Sequence, residues 1–224
     1  MSRVQDAAAA LRSLSLFARA DEADLQSLAA VAFPRRLSKG QVLFTEGERS
    51  EHLFVVTSGR LKVLVSSARG DELVLSVLGS GDALGELSVL DGADRSASAV
   101  ALDDVALWCV PAEGVRALLN RSPAVALAVA EELAGQVRRL TGAAADLVFL
   151  DLPRRLAKLL VSDHGGHGPG VSSLAQAEVA AQLGVTRQSL NRALQRLQDR
   201  GWVQVHRAAV EVLDRAALER FAES

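Results

Sequence analysis

At about 150 residues per domain, 224 residues allow one large domain or two small ones, and 49% apolar with 23% charged content is ordinary for a globular chain, which excludes disordered and collagen-like classes. Net charge is −2, but residues 1–151 carry 15 basic and 20 acidic side chains while residues 152–224 carry 10 and 7, so the sign changes along the chain. The lone Cys109 excludes an internal disulfide, a cysteine-ligated iron–sulfur cluster and a multi-cysteine zinc site; it is expected to be a small core residue.

No run is apolar enough to span a membrane. The longest, Ala124 to Ala130, falls far below the roughly 20 residues a bilayer needs. Ala7 to Leu11 is too short for a secretory apolar region, so a cytoplasmic protein is expected. In chain order, Ala7–Leu16 and Ala23–Val31 have helical apolar spacing, with Asp21 placed to cap the second helix. From Phe33 to Val110 the texture becomes short β-branched runs: Gln41–Phe44, Leu53–Thr57, Leu61–Val65, Leu73–Leu78, Ala97–Leu102 and Val105–Val110. Gly40, Gly47, Gly59, Gly70, Gly81, Gly85 and Gly92 fall at or near the turns, which predicts an all-β sandwich or barrel.

Pro111 opens a short helix through Leu119, and Pro123 starts a longer one. Along it, Ala126, Ala130, Leu133, Val137, Leu140, Ala144 and Leu147 recur at alternating spacings of four and three, the seam of a two-helix coiled coil. A helix packed on its own β domain needs an apolar stripe too, usually a wider one. Asp151-Leu152-Pro153 interrupts this helix, and a new one is expected from Pro153 to about Val161. The glycine-rich loop that follows holds His164 and His167. Only Asp163 offers a third ligand, so solvated loop histidines are preferred to a metal site.

Gln176–Leu183 is a short amphipathic helix, Gly184 its terminator, and Thr186 the cap of a helix running to about Arg200. Val179, Leu190, Ala193 and Leu197 supply buried faces and Ala180 a close approach, the pattern of a helix-turn-helix. The second helix exposes Arg187, Gln188, Asn191, Arg192, Arg196 and Arg200, and residues 152–207 carry a net charge of +5. Such a surface suits a polyanion, with base contacts expected from the early residues and solvated arginines as the alternative. Gly201–His206 followed by Val210–Val212 looks like a β-hairpin wing.

Within the β region, Gly85-Glu86-Leu87-Ser88 is followed, after six intervening residues, by Arg95-Ser96-Ala97. Backbone N–H groups, a guanidinium fork and a serine hydroxyl together suit a phosphate, while Glu86, an acceptor, suits a sugar hydroxyl. A surface Arg95–Glu86 salt bridge would explain the same residues.

These motifs, with Phe149-Leu150-Asp151-Leu152 at the hinge and Gly184-Val185-Thr186-Arg187-Gln188 in the helix-turn-helix, resemble the cyclic AMP receptor protein family of bacterial transcription regulators across nearly the whole chain. The resemblance implies an α+β fold. Residues 1–122 would form a cyclic-nucleotide-binding β-roll with flanking helices, 123–151 a long coiled-coil dimerisation helix and hinge, and 152–224 a winged helix-turn-helix. It implies a homodimer seamed by Leu133, Val137, Leu140, Ala144 and Leu147, in which a cyclic nucleotide such as cAMP acts allosterically on binding to double-stranded DNA with two half-sites. Gly85 and Glu86 would meet the ribose and Arg95 and Ser96 the cyclic phosphate, with Leu87 and Ser88 completing the cassette. Thr186, Arg187, Gln188, Asn191, Arg192 and Arg196 would meet DNA, and RNA polymerase is the expected protein partner.

Two positions depart from the family pattern. Where a Thr-Ser pair on the long helix contacts adenine, this chain reads Leu140-Thr141, and leucine offers no hydrogen bond to a purine amino group. Where the recognition helix has Arg-Glu-x-x-x-Arg, Gln188 replaces glutamate, so an amide that both donates and accepts stands where a carboxylate would accept from cytosine. Too little chain remains beyond these domains for a catalytic one, so an enzyme is not expected. No prosthetic group or metal is expected either, although a lone histidine could serve haem as an axial ligand. A same-fold regulator that binds DNA without cAMP, or answers another ligand, is the alternative.

Overall fold

The computed structural model describes residues 2–70, 72–162, 171–172, 176–206 and 209–223. They form two compact units, Met1–Val65 with Leu75–Val137, and Ser66–Val74 with Arg138–Ser224. In the first, helix α1 (Arg3–Arg12) opens with a reciprocal cap in which the Ser2 hydroxyl accepts from the Gln5 N–H and the Gln5 side chain accepts from the Ser2 N–H. The helix expected to run to Leu16 stops earlier. Leu14 takes an extended backbone and Ser15–Phe17 forms a separate 3-10 turn, which buries Leu14, Leu16 and Phe17 without continuing the helix. Asp21 caps α2 (Glu22–Val31), its carboxylate accepting from the Asp24 N–H at 2.7 Å.

Eight strands follow: β1 (Phe33–Leu37), β2 (Val42–Phe44), β3 (His52–Ser58), β4 (Leu61–Ser66), β5 (Glu72–Leu78), β6 (Ala83–Leu84), β7 (Ser98–Ala101) and β8 (Val105–Pro111). They make two four-stranded sheets, ordered β1-β8-β3-β6 and β2-β7-β4-β5. Strand alternation sends Phe54 and Val56 of β3 and Val105, Leu107 and Cys109 of β8 into the space between the sheets, where they meet Leu43, Phe44, Leu61, Ala99 and Ala101. The other face of the same strands, Leu53, Val55, Trp108 and Val110, packs on the helices through Leu11, Phe17, Leu25 and Leu28. This is why β3 reads in sequence as an unbroken apolar run: both of its faces are covered. Cys109 is a buried core thiol, as expected, and burial pushes its pKa up to about 11. At the β3–β4 turn Gly59 has φ +76°, and a Cβ there would stand 2.3 Å from the Asp104 carbonyl oxygen, so no other residue fits.

Helix α3 (Glu86–Asp91) lies between β6 and β7, and α4 (Ala112–Arg121) leads to the long helix α5 (Pro123–Phe149). Packing on its own β domain holds for the first turns of that helix. In its first turns Val125, Ala128 and Val129 are buried on the core, and Leu133 packs against it. Further along, Val137, Leu140 and Leu147 are 61%, 65% and 65% exposed, and Ala144 is exposed beside them.

The second unit holds α6 (Leu152–Ser162), β9 (Val171–Ser172), α7 (Gln176–Leu183), α8 (Arg187–Gln198), β10 (Val203–Val205), β11 (Val210–Val212) and α9 (Arg215–Glu223). Leu156, Ala157 and Leu160 of α6 form its core with Val179, Ala180, Leu190, Ala193, Leu194, Leu197 and Leu218. The expected wing is a three-stranded sheet, because β9 adds to β11 in the order β10-β11-β9. His164 and His167 lie outside the described residues. Among the described residues no helix is long and apolar enough to cross a membrane, and no cluster of His, Cys, Asp and Glu has metal-holding geometry.

Candidate functional site

The cassette is partly helical. Gly85, with φ +86°, is the N-cap of the six-residue α3, and Gly92, with φ +75°, ends it. Six residues show no period, so nothing in the pattern separates this turn of helix from a loop. Gly85 is required twice, by its backbone and by its neighbour: a Cβ there would lie 2.1 Å from Arg95 Nη1.

Arg95 is the centre of this site, and it is only 5% exposed. Its Nη2 donates to the His52 carbonyl at 2.7 Å and its Nη1 to the Gly85 carbonyl at 3.2 Å. The guanidinium lies over the Phe44 ring at 4.4 Å and the Phe54 ring at 5.2 Å, and those two rings stack on each other at 5.6 Å. Burial lowers its pKa, against the pull of the Glu86 and Glu48 carboxylates. Nε is buried without a partner. The surface Arg95–Glu86 pair considered from sequence is therefore not the arrangement adopted, because Arg95 is inside and its bonded donors go to carbonyls.

The remaining cassette residues divide. Ser88 is buried and its hydroxyl donates to the Asp94 carbonyl at 3.2 Å, whereas Leu87 and Ser96 are exposed. Glu86, half-buried, accepts from Gln136 Nε2 of α5 at 3.2 Å. Gln136, Phe44, Phe54 and His52 are site residues that the motif does not contain. Phe54 could have been found from strand alternation, whereas Phe44 could not, because β2 is irregular there and buries Leu43 and Phe44 in succession. Leu140 and Thr141 are exposed on α5, in the stretch assigned to the other compact unit.

In the second unit the helix-turn-helix forms with the expected bounds for α7, Gly184 at φ +64°, and the Thr186 hydroxyl accepting from the Ser189 N–H at 3.2 Å. Leu190, Ala193, Leu194 and Leu197 turn inward, which leaves Arg187, Gln188, Asn191, Arg192 and Arg196 exposed on the opposite side of α8. Arg192 donates only to the neighbouring Ser189 hydroxyl, at 3.3 Å. Other basic residues have partners within the unit. Arg155 donates to the Leu183 carbonyl, Lys158 pairs with Asp146 at 2.6 Å, and Arg200 lies over both Trp202 and Phe221 at 4.9 Å.

Residues 34–122 match the model of the cyclic nucleotide-binding domain, and residues 154–221 match that of the Crp-like helix-turn-helix domain. The chain is 31% identical over 204 residues to the CRP-like cAMP-activated global transcriptional regulator of Mycobacterium tuberculosis, covering 88% of this chain and 89% of that one. This chain belongs to the Crp/Fnr family of transcription regulators. The regulator is also 36% identical over 197 residues to the cyclic AMP receptor protein of Thermus thermophilus, covering 87% of this chain and 91% of the relative. Its fold is shared by the c-di-GMP responsive global regulator CLP of Xanthomonas campestris, at TM-score 0.74 and 22% identity over 86% of this chain and 99% of that one.

Proposed function

We propose that this regulator is a cytoplasmic homodimer that binds a cyclic nucleotide such as cAMP in the β-roll, and that the occupied dimer binds duplex DNA carrying two half-sites and engages RNA polymerase. The observation that carries the ligand is the Arg95 cluster. A guanidinium buried beside the Gly85–Glu86 turn keeps one nitrogen, Nε, without a partner, and an anion is the natural acceptor for its N–H. Gly85 and Glu86 would take the ribose hydroxyl, Arg95 and the exposed Ser96 the cyclic phosphate, with Leu87 and Ser88 shaping the turn. Leu140 and Thr141 would approach the base.

The exposed apolar run Val137, Leu140, Ala144 and Leu147 supports pairing of two α5 helices, with Leu133 at the start of the seam. Pairing presents two copies of α8, with Thr186 and the arginines set for successive major grooves, about 34 Å apart on B-DNA. Arg187 and Arg192 would fork guanines, Gln188 and Asn191 reach neighbouring bases, and Arg196 meet phosphate.

A second reading has its own observation. The two Nη donors of Arg95 are already bonded to carbonyls, so the pocket is held together without an anion, and such a regulator could bind DNA unliganded. DNA binding measured on a selected pool of duplexes, with and without cAMP, separates the two. The first predicts binding that rises at least about tenfold with cAMP, and the second an affinity that cAMP leaves unchanged.

A further inference from the structure

His52 opens β3 at the edge of the Arg95 cluster. Its carbonyl accepts from Arg95 Nη2 at 2.7 Å and stands 3.2 Å from where a Gly85 Cβ would be. Strand alternation puts its half-buried ring on the same side of β3 as Phe54 and Val56. The ring meets the edge of Phe33 at 5.3 Å and lies 6.2 Å from Phe54, the ring beneath Arg95. An imidazole so placed is next to the ring that carries Arg95, the residue given the cyclic phosphate in the function proposed above, on which this inference rests.

We infer that His52 is a further determinant of ligand binding: it takes up a proton as the anionic nucleotide enters, and as imidazolium it supplies a second positive charge beside Arg95.

The charged groups around it set the direction. Burial, first, holds the imidazole of the free protein below its usual range. Arg95 and Arg35 on β1 push the same way, and Glu51, its chain neighbour, opposes them. Glu48 in the preceding loop and Glu86 on α3 act on Arg95, and Cys109 on β8 stays a neutral thiol. A bound phosphodiester adds one negative charge to a site dominated by two guanidinium groups, which raises the proton affinity of His52. By linkage, a group protonated more in the complex than in the free protein makes binding tighter as pH falls. That advantage is lost as pH rises through the value in the complex, and it levels off below the value in the free protein.

The test is calorimetric titration of the intact dimer with cAMP between about pH 6 and about pH 8, in buffers of different ionisation enthalpy. For the native protein the affinity should fall about threefold or more across that range, with net proton uptake on binding. His52→Gln should remove both the slope and the uptake. His52→Arg, permanently charged, should hold the low-pH affinity at the upper end, which a purely structural role for the ring would not produce. A native protein that binds cAMP with the same affinity and no proton uptake throughout overturns the inference alone, as does a His52→Gln protein with the native slope. A native protein that binds no cAMP at any pH overturns the reading of the pocket, and the inference with it.

Discussion

Arginine does opposite work in the two units. Arg95 is buried, stacked on two phenylalanines and bonded to two carbonyls, so its charge is held by the fold before any ligand arrives. Arg187, Arg192 and Arg196 stand on the exposed side of a helix whose other side is Leu190, Ala193, Leu194 and Leu197, and the fold needs none of their charge. A cation that the fold itself holds is dear to replace, whereas a cation presented outward can be exchanged with little disturbance of the fold. The difference follows from surroundings, since the side chain is the same.

Four substitutions would break or sharpen this contrast. Arg95→Leu should lose cAMP binding by about a hundredfold or more, and should also lower unfolding stability by roughly 2 to 4 kcal/mol, because two carbonyls lose charge-assisted partners and the rings lose their cation. Calorimetry and urea unfolding measure the two effects, and binding lost with unchanged stability would mean that the inward bonds contribute nothing to the fold. A Val137→Glu protein places a carboxylate in the expected seam. It should sediment as a monomer and bind two-half-site DNA about ten- to a hundredfold more weakly, whereas an intact dimer would show that the seam lies elsewhere. The smallest effects belong to α8. Arg192→Ala should leave stability within about 0.5 kcal/mol of the native protein and relax preference at one base pair per half-site by roughly 1 to 3 kcal/mol. Arg196→Ala should weaken all duplexes alike and flatten the salt dependence. Identical binding profiles from a randomised duplex pool for the native protein and the Arg192 variant would remove α8 from base readout.

How much could be read in advance follows the same division. The helix-turn-helix was legible because each of its signals is local: the amphipathic period, Gly184 at the turn and Thr186 at the cap lie within a few residues of one another. The main strands were legible from β-branched runs between glycines. The two-residue strands β6 and β9 and the six-residue α3 are shorter than any period that could announce them, and Arg215–Glu223 carried no signal that had been singled out. Arg95 was legible as a phosphate-binding type of residue but not as a buried one, since its burial depends on Phe44 and Phe54, some 51 and 41 positions earlier in the chain. In α5 the heptad pattern blends two faces. The buried Val125, Ala128 and Val129 sit beside the seam positions rather than on them, and only packing tells the two sets apart.

The chain contains no tyrosine and two tryptophans, and they fall one to each unit: Trp108 in the core of the first, and Trp202 under the Arg200 guanidinium in the second. Its intrinsic fluorescence is thus a two-channel signal. Trp108 is shielded from water and should emit toward the blue, while Trp202, partly exposed beside a cation, should emit further to the red. With one indole replaced at a time by phenylalanine, unfolding of the ligand-binding and DNA-reading units can be followed separately without a label. Effector binding can then be timed in one unit and its arrival watched in the other.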